Sequence, residues 1–264
     1  MKYDIWDVHT HLIGVRGGTI EERLGRLLDC ADRVGVARFC LFMGTQEKSF
    51  DLSAEEFRRD NDEVLQAIRM FPGRVFGFVY LNPRHTRACL DEINRCVRDG
   101  PMVGVKLLAA LHCNDPALDP IVELAERLKA PVLQHTWLKI TGNLPGESTP
   151  MELAELAARH PRATLICAHS GGDWETGLRA LRPHPRVYAD LSGGDPASGF
   201  TEMAVRELGA GRVLYGSDVG GRSFSSQLGK VLGAGISEED KRLVLGGNLK
   251  RLLQPILLGK GIRL

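Results

Sequence analysis

The sequence predicts an α/β fold, a single-domain (β/α)8 TIM barrel that covers residues 1–264. Eight short apolar segments alternate with stretches whose apolar residues recur at helical spacing. Apolar strands that alternate with amphipathic helices are typical of parallel βαβ units, and eight such units over 264 residues match one closed barrel. A doubly wound open sheet is the alternative, but no Gly-x-Gly-x-x-Gly follows the first strand.

The predicted elements follow from runs of apolar residues and from the turn residues between them. The first strand includes Tyr3 to Val8, and the other seven cover residues 37–43, 74–81, 102–108, 131–136, 163–169, 186–191 and 212–218. The predicted helices cover residues 19–34, 54–70, 82–98, 119–129, 149–159, 174–181, 200–208, 237–245 and 247–257. Ser53 and Glu56 are typical of a capping box, and residues 44–53 are predicted to be a polar loop.

Composition and charge exclude several classes of partner. The hydrophobic fraction of 43% and the charged fraction of 25% are ordinary for a globular protein. A net charge of +1, with no basic run, argues against binding to nucleic acid or to an anionic membrane. The polar N-terminus does not resemble a signal peptide, and the six cysteines include no Cys-x-x-Cys pair. We therefore expect a cytoplasmic protein with free thiols; its oligomeric state stays open, a homo-oligomer included.

Polar residues stand at the C-terminal ends of five predicted strands, where a barrel has its active site. In Asp7-Val8-His9-Thr10-His11 alternate side chains share one face of the strand, so both imidazoles can reach one ion. The other four are Lys106, His135, His169 and Asp218. Because buried polar groups need partners, a metal ion would explain nearly all of them at once. Three histidines and one aspartate suit Zn²⁺ with one position left for water, although the ligand types also admit Mn, Fe or Co.

Each of these residues also has a purely structural interpretation when it is taken alone. His135 or His169 could be a core histidine with satisfied hydrogen bonds, Asp218 could cap a turn, and Lys106 could be the partner in an ion pair. The coincidence of all of them at one end of the barrel favours the metal site.

Several of these stretches resemble the amidohydrolase superfamily, in particular its "amidohydrolase 2" branch. The branch includes aminocarboxymuconate semialdehyde decarboxylase and related metal-dependent hydrolases. The resemblance covers nearly the whole chain in order, and it departs from the branch after Lys106, where Leu108-Ala109 replaces a frequent His-Pro. The matching stretches are Asp7-x-His9-x-His11, Gly104-Val105-Lys106-Leu107, His135-Thr136, Ala168-His169-Ser170-Gly171-Gly172, Gly216-Ser217-Asp218 and Gly247-Asn248 with Arg251-Leu252-Leu253.

The resemblance implies a barrel with one divalent metal ion, usually zinc, with manganese or another transition metal as alternatives. Carried over residue by residue, it implies His9, His11, His135 and Asp218 as ligands and His169 as an acid/base beside them. In binuclear members of the superfamily the lysine at the position of Lys106 is carbamylated. This branch is more often mononuclear, so we expect an unmodified lysine.

The function predicted from these residues is hydrolysis of a small-molecule ester, lactone or amide by a metal-activated water. Asp218 would take the proton from that water, and His169 would shuttle it. Non-oxidative decarboxylation of a small unsaturated or aromatic acid at the same metal is the first alternative, and a non-catalytic metal-binding scaffold is the second. Lys106, Trp137, Arg16 and Arg222 are the candidates for binding the substrate, because each lies at or just past the end of a strand.

Overall fold

The strands of the sheet follow one another in the order of the chain, and each neighbouring pair is parallel. The computed structural model describes residues 3–43 and 50–263. The strands are β1 (Ile5–His11), β2 (Val36–Phe42), β3 (Val75–Leu81), β4 (Gly104–Leu107), β5 (Val132–Gln134), β6 (Leu165–Cys167), β7 (Val187–Asp190) and β8 (Val213–Leu214). The α-helices are α1 (Ile20–Val34), α2 (Ala54–Met70), α3 (Thr86–Ile93), α4 (Asp119–Arg127), α5 (Pro150–Arg159), α6 (Trp174–Leu181), α7 (Phe200–Leu208), α8 (Phe224–Leu232), α9 (Glu238–Arg242) and α10 (Asn248–Gly259).

Hydrogen bonds between β1 and the segment around β8 close the sheet into a barrel. The backbone N–H of Val8 donates to the carbonyl of Tyr215 at 3.1 Å. Beyond β8, the N–H of Asp218 donates to the carbonyl of His9 at 2.8 Å, and the N–H of His11 donates to the carbonyl of Val219 at 3.0 Å. The predicted (β/α)8 barrel is therefore confirmed, and the doubly wound open sheet is wrong.

The ends of the helices show why the local sequence forms these elements. Ser53 and Glu56 form the predicted capping box at the start of α2, and Thr149 with Glu152 forms a second one at α5. Pro150 occupies the first turn of α5, where its missing N–H costs no hydrogen bond. Of the predicted loop at 44–53, residues 44–49 lie outside the described residues, and the rest is neither helix nor strand.

The structure corrects the sequence prediction at several places. The helix α8 was not predicted, because its sequence is short and rich in serine and glycine. The helix predicted over residues 82–98 consists of a 3₁₀ turn, α3 and a π-helical turn over Asn94–Arg98. The eighth strand is shorter than predicted, because the N–H of Ser217 donates to the carboxylate of Asp7 instead of extending the sheet.

The core lies inside the barrel and between the strands and the surrounding helices. It is built from aliphatic and aromatic side chains, among which Trp6, Tyr80 and Tyr215 are the largest that are fully buried. Within residues 3–43 and 50–263, no helix has both the length and the apolar character needed to cross a lipid bilayer. Several buried polar side chains, among them His9, His169, Asp190 and Ser192, lie at or just past the C-terminal ends of the strands.

Candidate metal centre

Two histidines of β1 and one aspartate beyond β8 form a compact group at the C-terminal end of the barrel. Nε2 of His9 lies 3.2 Å from Nε2 of His11, and the two atoms lie 3.5 and 3.4 Å from Oδ1 of Asp218. The ligand atoms of the three residues all lie within 4.8 Å of one another. Two imidazole nitrogens and a carboxylate oxygen are a donor set that suits a divalent transition metal.

The backbone at Asp218 is in the left-handed conformation, with φ of +56°. This conformation is uncommon for a residue other than glycine, and it is frequent at functional sites, where the surrounding structure holds it in place. Burial raises the pKa of Asp218, but the hydrogen bond with His11 and the electrostatic interactions with the His169 and His9 rings outweigh this and hold the pKa well below its usual range. Asp218 is therefore an ionised carboxylate.

A hydrogen bond from outside the group orients His9. Its Nδ1 lies 2.7 Å from Oδ2 of Asp190, the last residue of β7, and that oxygen also accepts from the hydroxyl of Ser192 at 2.6 Å. Since a carboxylate only accepts hydrogen bonds, Nδ1 of His9 carries the proton and Nε2 presents a lone pair to the group. Burial lowers the pKa of His9 well below its usual value, so the imidazole is in the neutral form that binds metals.

His135 and His169 form a second histidine pair beside the compact group. Nε2 of His169 lies 3.2 Å from Nδ1 of His135, while its Nδ1 lies 3.2 Å from the carbonyl of Ser192. On its other side, Nε2 of His135 lies 2.9 Å from Oε1 of Glu147. The structure therefore places His135 next to His169 and outside the compact three-residue group. The role of His135 as a ligand stays a prediction.

The backbone turns sharply at His169, which follows β6 rather than ending it. The φ angles of His169 and Ser170 are +58° and +47°, and this left-handed turn directs the His169 ring into the barrel mouth. Gly193 packs against the other side of the ring, because an added Cβ there would lie 2.4 Å from Nδ1 of His169. Burial lowers the pKa of His169 well below its usual value, so the ring is neutral.

Lys106 lies beneath the site and not in its mouth. The side chain is 0% exposed, and Nζ lies 4.7 Å from the centre of the Phe42 ring. Within residues 3–43 and 50–263, Nζ has no hydrogen-bond partner. Burial lowers the pKa of Lys106 to about 8, although the charges of Asp218 and Asp190 oppose this effect. Direct substrate contact by Lys106 stays a prediction that its depth does not favour.

The compact group opens into a cavity of about 450 Å³ at the mouth of the barrel. Of the predicted substrate-binding residues, Trp137 and Arg222 line this cavity, whereas Arg16 is exposed on the loop after β1 and does not. The apolar part of the cavity wall is formed by the side chains of Phe50, Leu108 and Leu144. The mouth thus combines an aromatic and apolar wall with a cation beside the His9–His11–Asp218 group.

Three residues of the site were not predicted from the sequence. Asp190 and Ser192 contact His9 and His169, and Glu147 contacts His135. Asp190 could have been found, because it ends the seventh predicted strand as the other polar site residues end theirs. Glu147 lies in the loop after β5, and no local pattern distinguishes it from an ordinary surface glutamate.

Known proteins resemble this chain over most of its length. The family model described as Amidohydrolase matches residues 6–254. A curated relative is the 2-amino-3-carboxymuconate-6-semialdehyde decarboxylase of Dictyostelium discoideum, which is 30% identical in a match that covers 73% of this chain. The chain spans 65% of that relative's own length.

Solved structures share the fold at low sequence identity. The 2,6-dihydroxybenzoate decarboxylase from Rhizobium superposes with a TM-score of 0.76 at 18% identity, covering 96% of this chain and 99% of that one. A dihydroxybenzoic acid decarboxylase from Polaromonas, solved with bound manganese and the inhibitor 2-nitroresorcinol, has a TM-score of 0.78 at 16% identity and covers 96% and 97%. The matched family model, which spans nearly the whole barrel, shows that this chain belongs to the amidohydrolase family.

Proposed function

We propose that this protein is a metal-dependent enzyme that removes CO₂ from a small unsaturated or aromatic carboxylic acid without a redox step. The observation that carries the proposal is the placement of the His9–His11–Asp218 group at the floor of the barrel mouth, with His169 beside it. A cavity of about 450 Å³ is in the size range of small-molecule sites. The flat ring of Trp137 in its wall suits an aromatic or conjugated substrate.

The proposed cofactor is one divalent metal ion held by His9, His11 and Asp218, with His135 as a further ligand. When bound, such an ion supplies positive charge that orients the substrate's oxygens and stabilises negative charge as it develops. The donor set accommodates Zn²⁺ or Mn²⁺, and the manganese in the Polaromonas neighbour supports testing both ions.

The proposed proton transfer uses His169. Its Nδ1–H donates to the carbonyl of Ser192, so its Nε2 presents a lone pair to the mouth. That nitrogen takes a proton from a substrate hydroxyl or a water and delivers it to the carbon that loses the carboxyl group. The carbon–carboxyl bond breaks, CO₂ leaves, and the electron pair stays on the carbon, where it forms the new C–H bond with the proton. The oxygen that gave up the proton takes one back from solvent. Arg222 at the rim holds an anionic group of the substrate.

Decarboxylation is favoured over the hydrolysis predicted from the sequence. The curated relative and the two solved neighbours are named decarboxylases. Because the chain spans only 65% of the curated relative's length and the neighbours share less than a fifth of their residues with it, the reaction itself is our proposal.

The test uses the purified full chain loaded with Mn²⁺ or Zn²⁺. CO₂ release and acid release are measured across hydroxybenzoates, unsaturated carboxylic acids, lactones and amides. CO₂ release that disappears in Asp218→Asn and persists in His85→Ala, an exposed histidine outside the site, would support the proposal. Hydrolysis without CO₂ release would overturn it in favour of the hydrolase, and metal binding without either reaction would favour the scaffold.

A further inference from the structure

The loop of residues 137–148 that follows β5, here called the β5 loop, folds back onto His135. The carboxylate of Glu147 lies at the centre of this fold, with its side chain only 3% exposed. Its Oε1 accepts from Nε2 of His135 at 2.9 Å, and its Oε2 accepts from Nζ of Lys139 at 2.7 Å and from the N–H of Leu144 at 2.9 Å. A buried carboxylate is thus satisfied on all sides by donors of the loop and by one imidazole.

Contacts within the β5 loop and with the loop after β4 support the position of this carboxylate. The side chain of Asn143 accepts from the N–H of Lys139 at 3.0 Å and donates to the carbonyl of Glu147 at 3.2 Å. Gly146, with φ of +75°, packs so closely on the loop after β4 that an added Cβ would lie 2.3 Å from the carbonyl oxygen of Ala109. These contacts tie both ends of the loop to each other and to the barrel, and they place Glu147 against His135.

We propose that Glu147 is a positioning residue that keeps the proton of His135 on Nε2 and thereby directs the bare Nδ1 toward the metal centre. Because an ionised carboxylate can only accept a hydrogen bond, the ring nitrogen facing it must be the protonated one. The nitrogen left with a lone pair is then Nδ1, which lies 3.2 Å from Nε2 of His169. That second nitrogen also carries a lone pair, since the other nitrogen of His169 donates to the carbonyl of Ser192.

Two lone pairs that face each other repel unless a cation lies near both of them. Their orientation is imposed from outside by Glu147 and Ser192, so the pair is prepared to receive positive charge from the centre of the barrel mouth. Lys139 neutralises the charge of Glu147 through a direct ion pair, so the glutamate selects the protonated nitrogen without adding net charge to the site. This inference rests on the metal-dependent function proposed above. It adds the residue that determines which atom of His135 faces the metal.

The test compares three variants of the full chain by metal affinity and by ring ¹⁵N NMR of His135. Glu147→Ala removes the hydrogen-bond acceptor of His135. We expect the metal affinity measured by chelator competition to fall by about 10–100-fold, as is usual when a metal-binding histidine loses its hydrogen-bond partner. Glu147→Gln keeps an oxygen that can accept from Nε2–H and should recover most of the affinity. Lys139→Met is the matched control, since it removes the ion pair but leaves the carboxylate on His135.

The NMR spectra report the tautomer directly and need neither activity nor metal. We expect His135 to be protonated on Nε2 in the wild type and in Lys139→Met, and to lose this preference in Glu147→Ala. If Glu147 only held the loop in place, Lys139→Met would weaken metal binding as much as Glu147→Ala, with the tautomer unchanged in both, and the inference would be wrong. Should the wild type bind no metal, the proposed function would fail, while the tautomer would still decide the role of Glu147.

Discussion

Oδ2 of Asp190 lies 2.7 Å from Nδ1 of His9, although the two residues are 181 positions apart in the chain. The contact joins the end of β7 to β1 behind the proposed metal ligands. It leaves Nε2 of His9 as the nitrogen that faces His11 and Asp218. A metal ligand held in this way is oriented before the ion arrives.

Asp190→Asn should therefore weaken metal binding by about 10–100-fold without unfolding the barrel. The carboxylate accepts at both oxygens, from His9 and the Ser192 hydroxyl at Oδ2 and from the Ser192 N–H at Oδ1, whereas the amide has only one acceptor oxygen. Chelator competition measures the affinity, and circular dichroism checks the fold. Asp195→Asn, an exposed aspartate on the next loop, is the control. Equal affinities for the two variants would show that Asp190 does not orient a ligand.

The compact group predicts one divalent metal ion per chain. His9→Ala and His11→Ala should each remove it, because two ligand atoms rarely retain an ion that three or four hold. Elemental analysis gives the stoichiometry, with His85→Ala as a control that removes an exposed histidine. The metal should also raise the unfolding temperature of the wild type, since an ion that binds only the native state stabilises it. Full metal content in both site variants would mean that His9 and His11 have another role.

His169→Asn should keep the metal and the fold but lower turnover by about 10²–10⁴-fold, the usual worth of a general acid/base. Asparagine tolerates the left-handed backbone at this position, where φ is +58°, so the substitution does not strain the turn. The loss should fall on kcat with little change in KM. Loss of metal would instead identify His169 as a ligand, and near-normal turnover per folded molecule would give it a purely structural role.

Lys106 should be an unmodified lysine beside a single metal ion. Among residues 3–43 and 50–263, His9, His11 and Asp218 are the one group of three His, Cys, Asp or Glu side chains whose ligand atoms lie close enough to hold an ion. Lys106→Met should retain the same metal equivalent as the wild type, and the wild type loaded with ¹³C-bicarbonate should show no carbamate resonance. Loss of a second metal equivalent in this variant would establish a carbamylated, binuclear centre.

Lys230 should make stability depend on pH in the alkaline range. It is buried, and Nζ donates to the carbonyls of Leu191 and Gly193, next to the His169 ring. Lys230→Met should lower the free energy of unfolding by about 1–3 kcal/mol, because two buried carbonyls lose their donor.

Burial lowers the pKa of Lys230 from 10.5 to about 8. Between these values the unfolded chain binds more protons than the native protein, so this group adds stability as pH rises from 8 toward 10.5. The difference between wild type and variant should grow by up to about 2 kcal/mol between pH 8 and 9.5. Urea unfolding at several pH values measures it, and a constant difference over this range would contradict the shift.

The sequence was sufficient to predict the barrel because its signals are local. Helical spacing in residues 19–34 and the capping box of Ser53 and Glu56 depend only on neighbouring residues, and eight repeats of the same unit leave few topologies. The sequence was also sufficient to nominate His9, His11 and Asp218, because polar residues at the ends of apolar strands converge once the strands form a barrel.

Only the tertiary structure decided which partners these side chains contact. Three features depend on long-range packing and on loop geometry, which no local pattern encodes: Asp190 contacts His9, Glu147 contacts His135, and Arg16 does not line the mouth cavity. The early ends of β6 and β8 have the same cause. There the chain leaves the sheet so that His169 and Asp218 can adopt left-handed backbone angles, and contacts from distant strands hold these angles in place.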